Sequence, residues 1–195
     1  MTIRIADGRD WPVNHSVGRT CFVANVRHVI EVWPMVTLKQ ELFENLSLRS
    51  AIGADAPLIA NILLESRAAF LPYAPSPHSD VSVRAWVRDV LLRVQNVTVA
   101  CMKDRSVGVM AVHEVEGISW ITQLYLDPSY VGQGIGSRLL ARALETSPRP
   151  IRLYTFQQNG GARRFYERNG FKAIRFTDGS ANEERCPDIL YELTA

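Results

Sequence analysis

Three cysteines in 195 residues, Cys21, Cys101 and Cys186, lie far apart with no CxxC spacing. That number is odd and the spacing wrong for a disulfide framework or a zinc site, so a reducing, cytoplasmic setting is the simplest expectation. No apolar run approaches the roughly eighteen residues of a membrane span, and no continuous hydrophobic segment near the start suggests a signal peptide. The net charge of +2 is too small to argue for nucleic acid or an anionic membrane. Low-complexity tracts and internal repeats are missing as well. What remains is an ordinary globular composition, 47% hydrophobic and 22% charged, at a length suited to one domain with its own core.

Residues 1–44 read differently from the rest. Pro12 and Pro34 interrupt a mixture of aromatic, β-branched and basic residues that keeps neither strand nor helix period. Met35 precedes a cleaner stretch, MVTLKQELFENLSLRSA. The segment is therefore either sequence upstream of a start at Met35 or an N-terminal arm packing on the domain or a neighbouring subunit.

Residues 45–195 read as one domain. LSLRSA alternates like a strand. Asp55 then offers an N-cap ahead of Pro57, and Ile59, Ile62, Leu63, Ser66 and Phe70 recur at helical spacing. Prolines break FLPYAPSPHSD into loop. Val83, Trp86, Val87, Val90 and Leu91 make a second helical stripe. NVTVACMK and VGVMAVHEV form a hairpin about Asp104-Arg105-Ser106, and ISWITQLYLDP adds a third strand. A glycine-rich turn, a helix SRLLARALE, a strand IRLYTF, a helix GGARRFYER and the strands FKAIRF and DILYEL follow, the last two joined by the polar loop TDGSANEERCP. The order βαα-βββ-α-β-α-ββ predicts an α/β (α+β) fold, a mixed, mostly antiparallel sheet of about seven strands flanked by helices.

The chemistry concentrates at VGQGIGS. Gly132, Gly134 and Gly136 alternate between strand end and helix start, so backbone N–H groups are free to meet an anion beside the helix's positive end. Ser137 adds a hydroxyl donor. A pyrophosphate suits this cradle, although a strand-to-helix turn with no ligand has the same composition. No lysine precedes Ser137, against a P-loop, and Leu139 stands where a dinucleotide fingerprint begun at Gly134 needs its third glycine.

A second motif, NGGARRFYERNGF from Asn159, follows at the next helix. Together with VGQGIGS and the LYLDP before it, it resembles the GNAT superfamily of N-acetyltransferases over roughly residues 46–193. Val131 departs from the Gln or Arg with which the family's turn begins. The resemblance implies acetyl-CoA as co-substrate, an amine acceptor (a small molecule or a protein N-terminus), and a monomer or homodimer, with no role for metal. It places pantetheine against the backbones of Leu124 and Leu126, and pyrophosphate in the cradle of Gly132, Gln133, Gly134, Ile135, Gly136 and Ser137. Asn159, Ala162 or Arg163, and Tyr166 form one helical stripe toward the cofactor arm. Tyr166 matches the tyrosine that protonates the departing thiolate, and Arg163 and Arg164 are within reach of a phosphate or simply solvated.

The general base is the missing part. Tyr154 stands where many relatives carry glutamate, and Trp120 and Thr122 share the strand parity of Leu124, so they are expected to line the pocket without supplying a base. A water chain to bulk is the first expectation and His78, in the proline-rich loop, the second. His113 and Glu114 read as strand-end residues. Tyr73, His78, Trp120 and Thr122 are the expected acceptor pocket, with Phe70 and Trp86 as further aromatics. A CoA-binding regulatory module of the same fold, without catalysis, is the alternative.

Overall fold

The computed structural model describes residues 45–194. The segment 1–44, on which the alternatives of a Met35 start and an N-terminal arm both fall, lies outside the described residues. A seven-stranded sheet runs in the order β1-β2-β3-β4-β5-β7-β6, made of β1 (Leu46–Ser50), β2 (Asn96–Met102), β3 (Arg105–Val115), β4 (Ile118–Leu126), β5 (Ile151–Phe156), β6 (Lys172–Phe176) and β7 (Asp188–Leu193). The helices are α1 (Ala56–Phe70), α2 (Asp80–Trp86, extended by a π-helical turn Val87–Leu91 and a last turn Leu92–Val94), α3 (Ile135–Thr146) and α4 (Gly160–Arg168). Every pairing is antiparallel except β4 with β5. The element order is the one the sequence predicts.

Two apolar clusters hold the three layers together. On one face Ile59 and Leu63 of α1 and Val87 and Leu91 of α2 bury against Val97, Val99, Val109 and Ala111. On the other, Ile135, Leu139 and Leu140 of α3 meet Met110, Val112, Ile121, Leu153 and Tyr191, with Tyr166 of α4. Burial of each such side chain contributes about 1.5–3 kcal/mol.

Local details depart from the simple periods. The π turn in α2 inserts one residue per turn, so Val90 rotates to solvent at 40% exposure while Leu91 stays buried. Phe70 ends α1 in the open. Asp55 does sit at the N-cap of α1, but its carboxylate reaches backward instead of capping forward. It accepts the Ile52 N–H at 2.8 Å and both Arg49 guanidinium nitrogens at 2.7 and 2.9 Å. The β2–β3 hairpin turns one step earlier than expected, because Lys103 takes a left-handed φ of 53°, and Arg105 and Ser106 already belong to β3.

Two irregularities shape the site. Between β3 and β4, Ala111 faces Gln123 but Val112 faces Ile121, leaving Thr122 as an unpaired bulge. The second is a splay. β5 pairs with β4 only at Ser119–Ile151 and Trp120–Arg152, after which β4 runs to Leu126 and β5 to Phe156 without pairing.

Candidate active site

A cavity of about 340 Å³ fills the gap opened by the splay. Leu124 and Tyr125 of β4, Tyr154 and Phe156 of β5 and Ala162 and Tyr166 of α4 stand around it, with Asn159 at the start of α4. Beyond Trp120 the edge of β4 has no β5 partner, so its backbone is available to a ligand.

The turn after β4 is built in small steps. Asp127 is 5% exposed, pairs with Arg105 at 2.8 Å and accepts the Ser129 N–H at 2.9 Å, starting a short 3₁₀ turn. Gly132 and Gly134 then take φ values of 84° and 89°, and nothing lies within 4 Å of where a Cβ on Gly132 would project. The first backbone bond of α3 runs from Arg138 N–H to the Gly134 carbonyl at 3.2 Å. The amides of Ile135, Gly136 and Ser137 are thus orphan donors at a helix N-terminus. Two neighbouring side chains are turned away: Ile135 buries its side chain completely, and the Gln133 amide donates to the Ser129 carbonyl at 2.9 Å. Leu126 turns its side chain into the core between Gly108 and Gly136.

On α4 the stripe resolves to Asn159, Ala162 and Tyr166. Asn159 caps the helix, accepting the Ala162 N–H at 3.0 Å; its amide NH₂ remains a donor. Arg163 turns instead to the Gln157 carbonyl at 3.2 Å. Tyr166 is 7% exposed among Phe165, Phe171 and Tyr191. Burial in that cage pushes its phenol well above the usual tyrosine range, with the neighbouring Tyr125 adding to the effect. The group keeps its proton throughout the physiological range.

The opposite wall is made of side chains from the end of α1 and two loops. Arg67 at the end of α1 and His78 before α2 meet Glu183 and Glu184 of the β6–β7 loop. His78 Nε2 is 2.9 Å from Glu183 Oε2, and Arg67 pairs with Glu184 at 3.3 Å. That loop folds on itself. The Asn182 amide donates to the Cys186 carbonyl at 2.7 Å and to the Asp188 carboxylate at 2.8 Å. At Gly179, with φ 80°, a Cβ would come within 2.3 Å of the Cys186 backbone, so only glycine fits.

Of the expected acceptor residues, His78 and Thr122 line the cavity and Trp120 and Tyr73 do not. The Thr122 bulge inverts the parity of β4, carrying Trp120 to the face away from Leu124, where it stacks on Tyr154 at 6.2 Å with the Arg152 guanidinium 5.6 Å from its ring. Tyr73 packs edge-on against Phe156, and Phe156 takes the wall position. Trp86 belongs to the core under α1 and α2, and Phe70 is exposed. Sequence reasoning missed Arg67, Glu183 and Glu184. The acidic pair in TDGSANEERCP was visible, but nothing in it announced that the loop folds back over the cavity. Among the described residues no group of three or more His, Cys, Asp or Glu is placed to hold a metal ion.

Residues 93–173 match the model of the acetyltransferase (GNAT) domain. Over those residues the chain reads as a GNAT acetyltransferase domain. Solved structures agree with that fold. The PaiA N-acetyltransferase of Thermoplasma acidophilum, in complex with coenzyme A, superposes with a TM-score of 0.64 at 22% identity, over 77% of this chain and 99% of that one. A spermidine N-acetyltransferase chimera from Vibrio cholerae and hSSAT gives 0.61 at 19% identity, over 77% and 95%. The ribosomal-protein-S18-alanine N-acetyltransferase of Escherichia coli gives 0.62 at 17% identity, over 76% and 93%. No curated protein matches the chain by sequence.

Proposed function

We propose that this GNAT protein transfers the acetyl group of acetyl-CoA to a primary amine by direct attack, both substrates occupying the splayed cavity together. The observation that carries the reading is the splay itself, an unpaired β4 edge facing Tyr166 across a cavity, on the strand that leads into the glycine turn. The residues fit the co-substrate: left-handed Gly132 and Gly134 and the orphan amides of α3 suit a pyrophosphate, and small Ala162 leaves room for a slender arm.

Bound acetyl-CoA supplies an acetyl group activated as a thioester. The chain supplies the rest. Backbone N–H groups along β4 stabilise negative charge developing on the carbonyl oxygen. Tyr166, kept neutral by burial, gives its proton to sulfur as the C–S bond breaks. Closely packed walls hold the amine near the carbonyl carbon, replacing a chance encounter in water. The acceptor class, a small-molecule amine or a protein N-terminus, follows from this chemistry, and two of the superposing proteins are named for such substrates.

The test is free-thiol release from acetyl-CoA by the full chain with a panel of primary amines. At least one amine should give thiol and its N-acetyl product in equal amounts. Tight coenzyme A binding without turnover of any amine would favour the regulatory module instead.

A further inference from the structure

Resting on that transfer reaction, we infer that His78, oriented by Glu183, is the general base that takes the proton from the acceptor amine. The geometry narrows the choice to this pair. Arg67, Tyr125, Tyr154 and Tyr166 face the same space but are too basic or too weakly acidic to serve as proton acceptors near neutrality. Glu184 is committed to Arg67, and Asp188 accepts from Thr177 and Asn182 to hold the loop in place. That leaves an imidazole with one nitrogen, Nε2, on the Glu183 carboxylate at 2.9 Å, while Nδ1 stays open to accept. A carboxylate on one ring nitrogen sets the tautomer and stabilises the imidazolium that forms. The backbone under the ring is tied down as well, since the Ser76 hydroxyl donates to the His78 carbonyl at 2.9 Å. The ring is 23% exposed, so a captured proton has a way out to water. The pair is supplied by two loops 105 residues apart in the chain.

The protons balance. An ammonium acceptor must lose two. One passes to His78 Nδ1 and on to bulk water, freeing the lone pair that attacks the carbonyl carbon. The second leaves nitrogen as the new C–N bond forms and makes good the proton Tyr166 gives to sulfur. The sum is ammonium plus thioester giving amide, thiol and one released proton.

The full chain, with the best-accepted alkylamine of the panel, tests this. His78→Gln should lower kcat/KM at neutral pH by about 100-fold or more, with coenzyme A affinity by calorimetry unchanged. Its deficit should shrink as pH rises toward the amine's own pKa of about 10, where water-borne amine is already neutral. Glu183→Gln should lower kcat/KM less than His78→Gln does, with a deficit that likewise shrinks as pH rises; a merely structural role would lower the rate at every pH alike. Activity of His78→Gln within about threefold of the unaltered chain, or a deficit that stays constant with pH, overturns the assignment. A chain that binds coenzyme A but acetylates no amine overturns the transfer reading and this inference with it.

Discussion

On the cradle side the groups left without partners are mostly backbone, the unpaired edge of β4 and the amides that open α3, steered by two left-handed glycines and a buried aspartate. On the other side the groups that line the cavity are side chains, carried by α1 and two loops that meet only in the folded chain and grip each other through His78–Glu183, Arg67–Glu184 and the Cys186 thiol at the Tyr73 carbonyl. Under the proposed function, the backbone side recognises what every acyl donor shares, a phosphate-bearing arm. A side-chain site is free to be remade for each acceptor, since changing it leaves the sheet untouched. The contrast assigns the common chemistry to one half and selectivity to the other.

Substitutions should separate the halves. The largest effect belongs to Gly134→Glu, which forces a side chain into φ 89° at a strain of about 1–3 kcal/mol and sets an anion in the cradle. Coenzyme A affinity by calorimetry should fall by more than about 100-fold; an unaltered Kd would dissolve the distinction between the halves. Next comes Tyr166→Phe, expected to lower kcat by about 100-fold with little change in acetyl-CoA KM, measured by thiol release.

The converse experiment is Gly179→Ala. Its methyl group collides with the Cys186 backbone, at a stability cost above about 1 kcal/mol. The loop carrying Glu183 and Glu184 must move, so the acceptor KM should rise while coenzyme A binding holds. A matched loss of both would show that the loop serves the whole cavity.

The smallest effect lies outside both halves. Arg49, through its paired hydrogen bonds, holds the Asp55 carboxyl below the usual carboxylate range. Because the folded value is depressed, the stabilisation is fully present above the unfolded pKa of about 4 and fades as pH falls through the lower folded value. Asp55→Asn should therefore lower stability by about 1–3 kcal/mol near neutral pH, with the difference disappearing in acid, as followed by urea unfolding.

The same contrast governs how much could be read before the structure. The cradle half was legible because its instructions are contiguous: alternating glycines between strand and helix, and Asn159, Ala162 and Tyr166 on one helical stripe. Element order was legible for the same reason, each element advertising its own period. The acceptor half was not, since no local pattern says that residue 78 meets residue 183. That two expected pocket residues fall outside this cavity has local causes as well. Trp120 was placed by strand parity, which the Thr122 bulge inverts, and Tyr73 by its loop, whose ring packs sideways onto Phe156. Bulges and π turns add single residues without changing composition, so periodic reasoning passes over them.

The central claim is that one cavity holds both substrates at once, the thioester on the backbone side and the amine on the loop side. Initial rates of thiol release, with acetyl-CoA and the amine both varied, test it most directly. Double-reciprocal lines that intersect are the predicted result. Parallel lines, the mark of an acetylated enzyme formed before the amine binds, would contradict it.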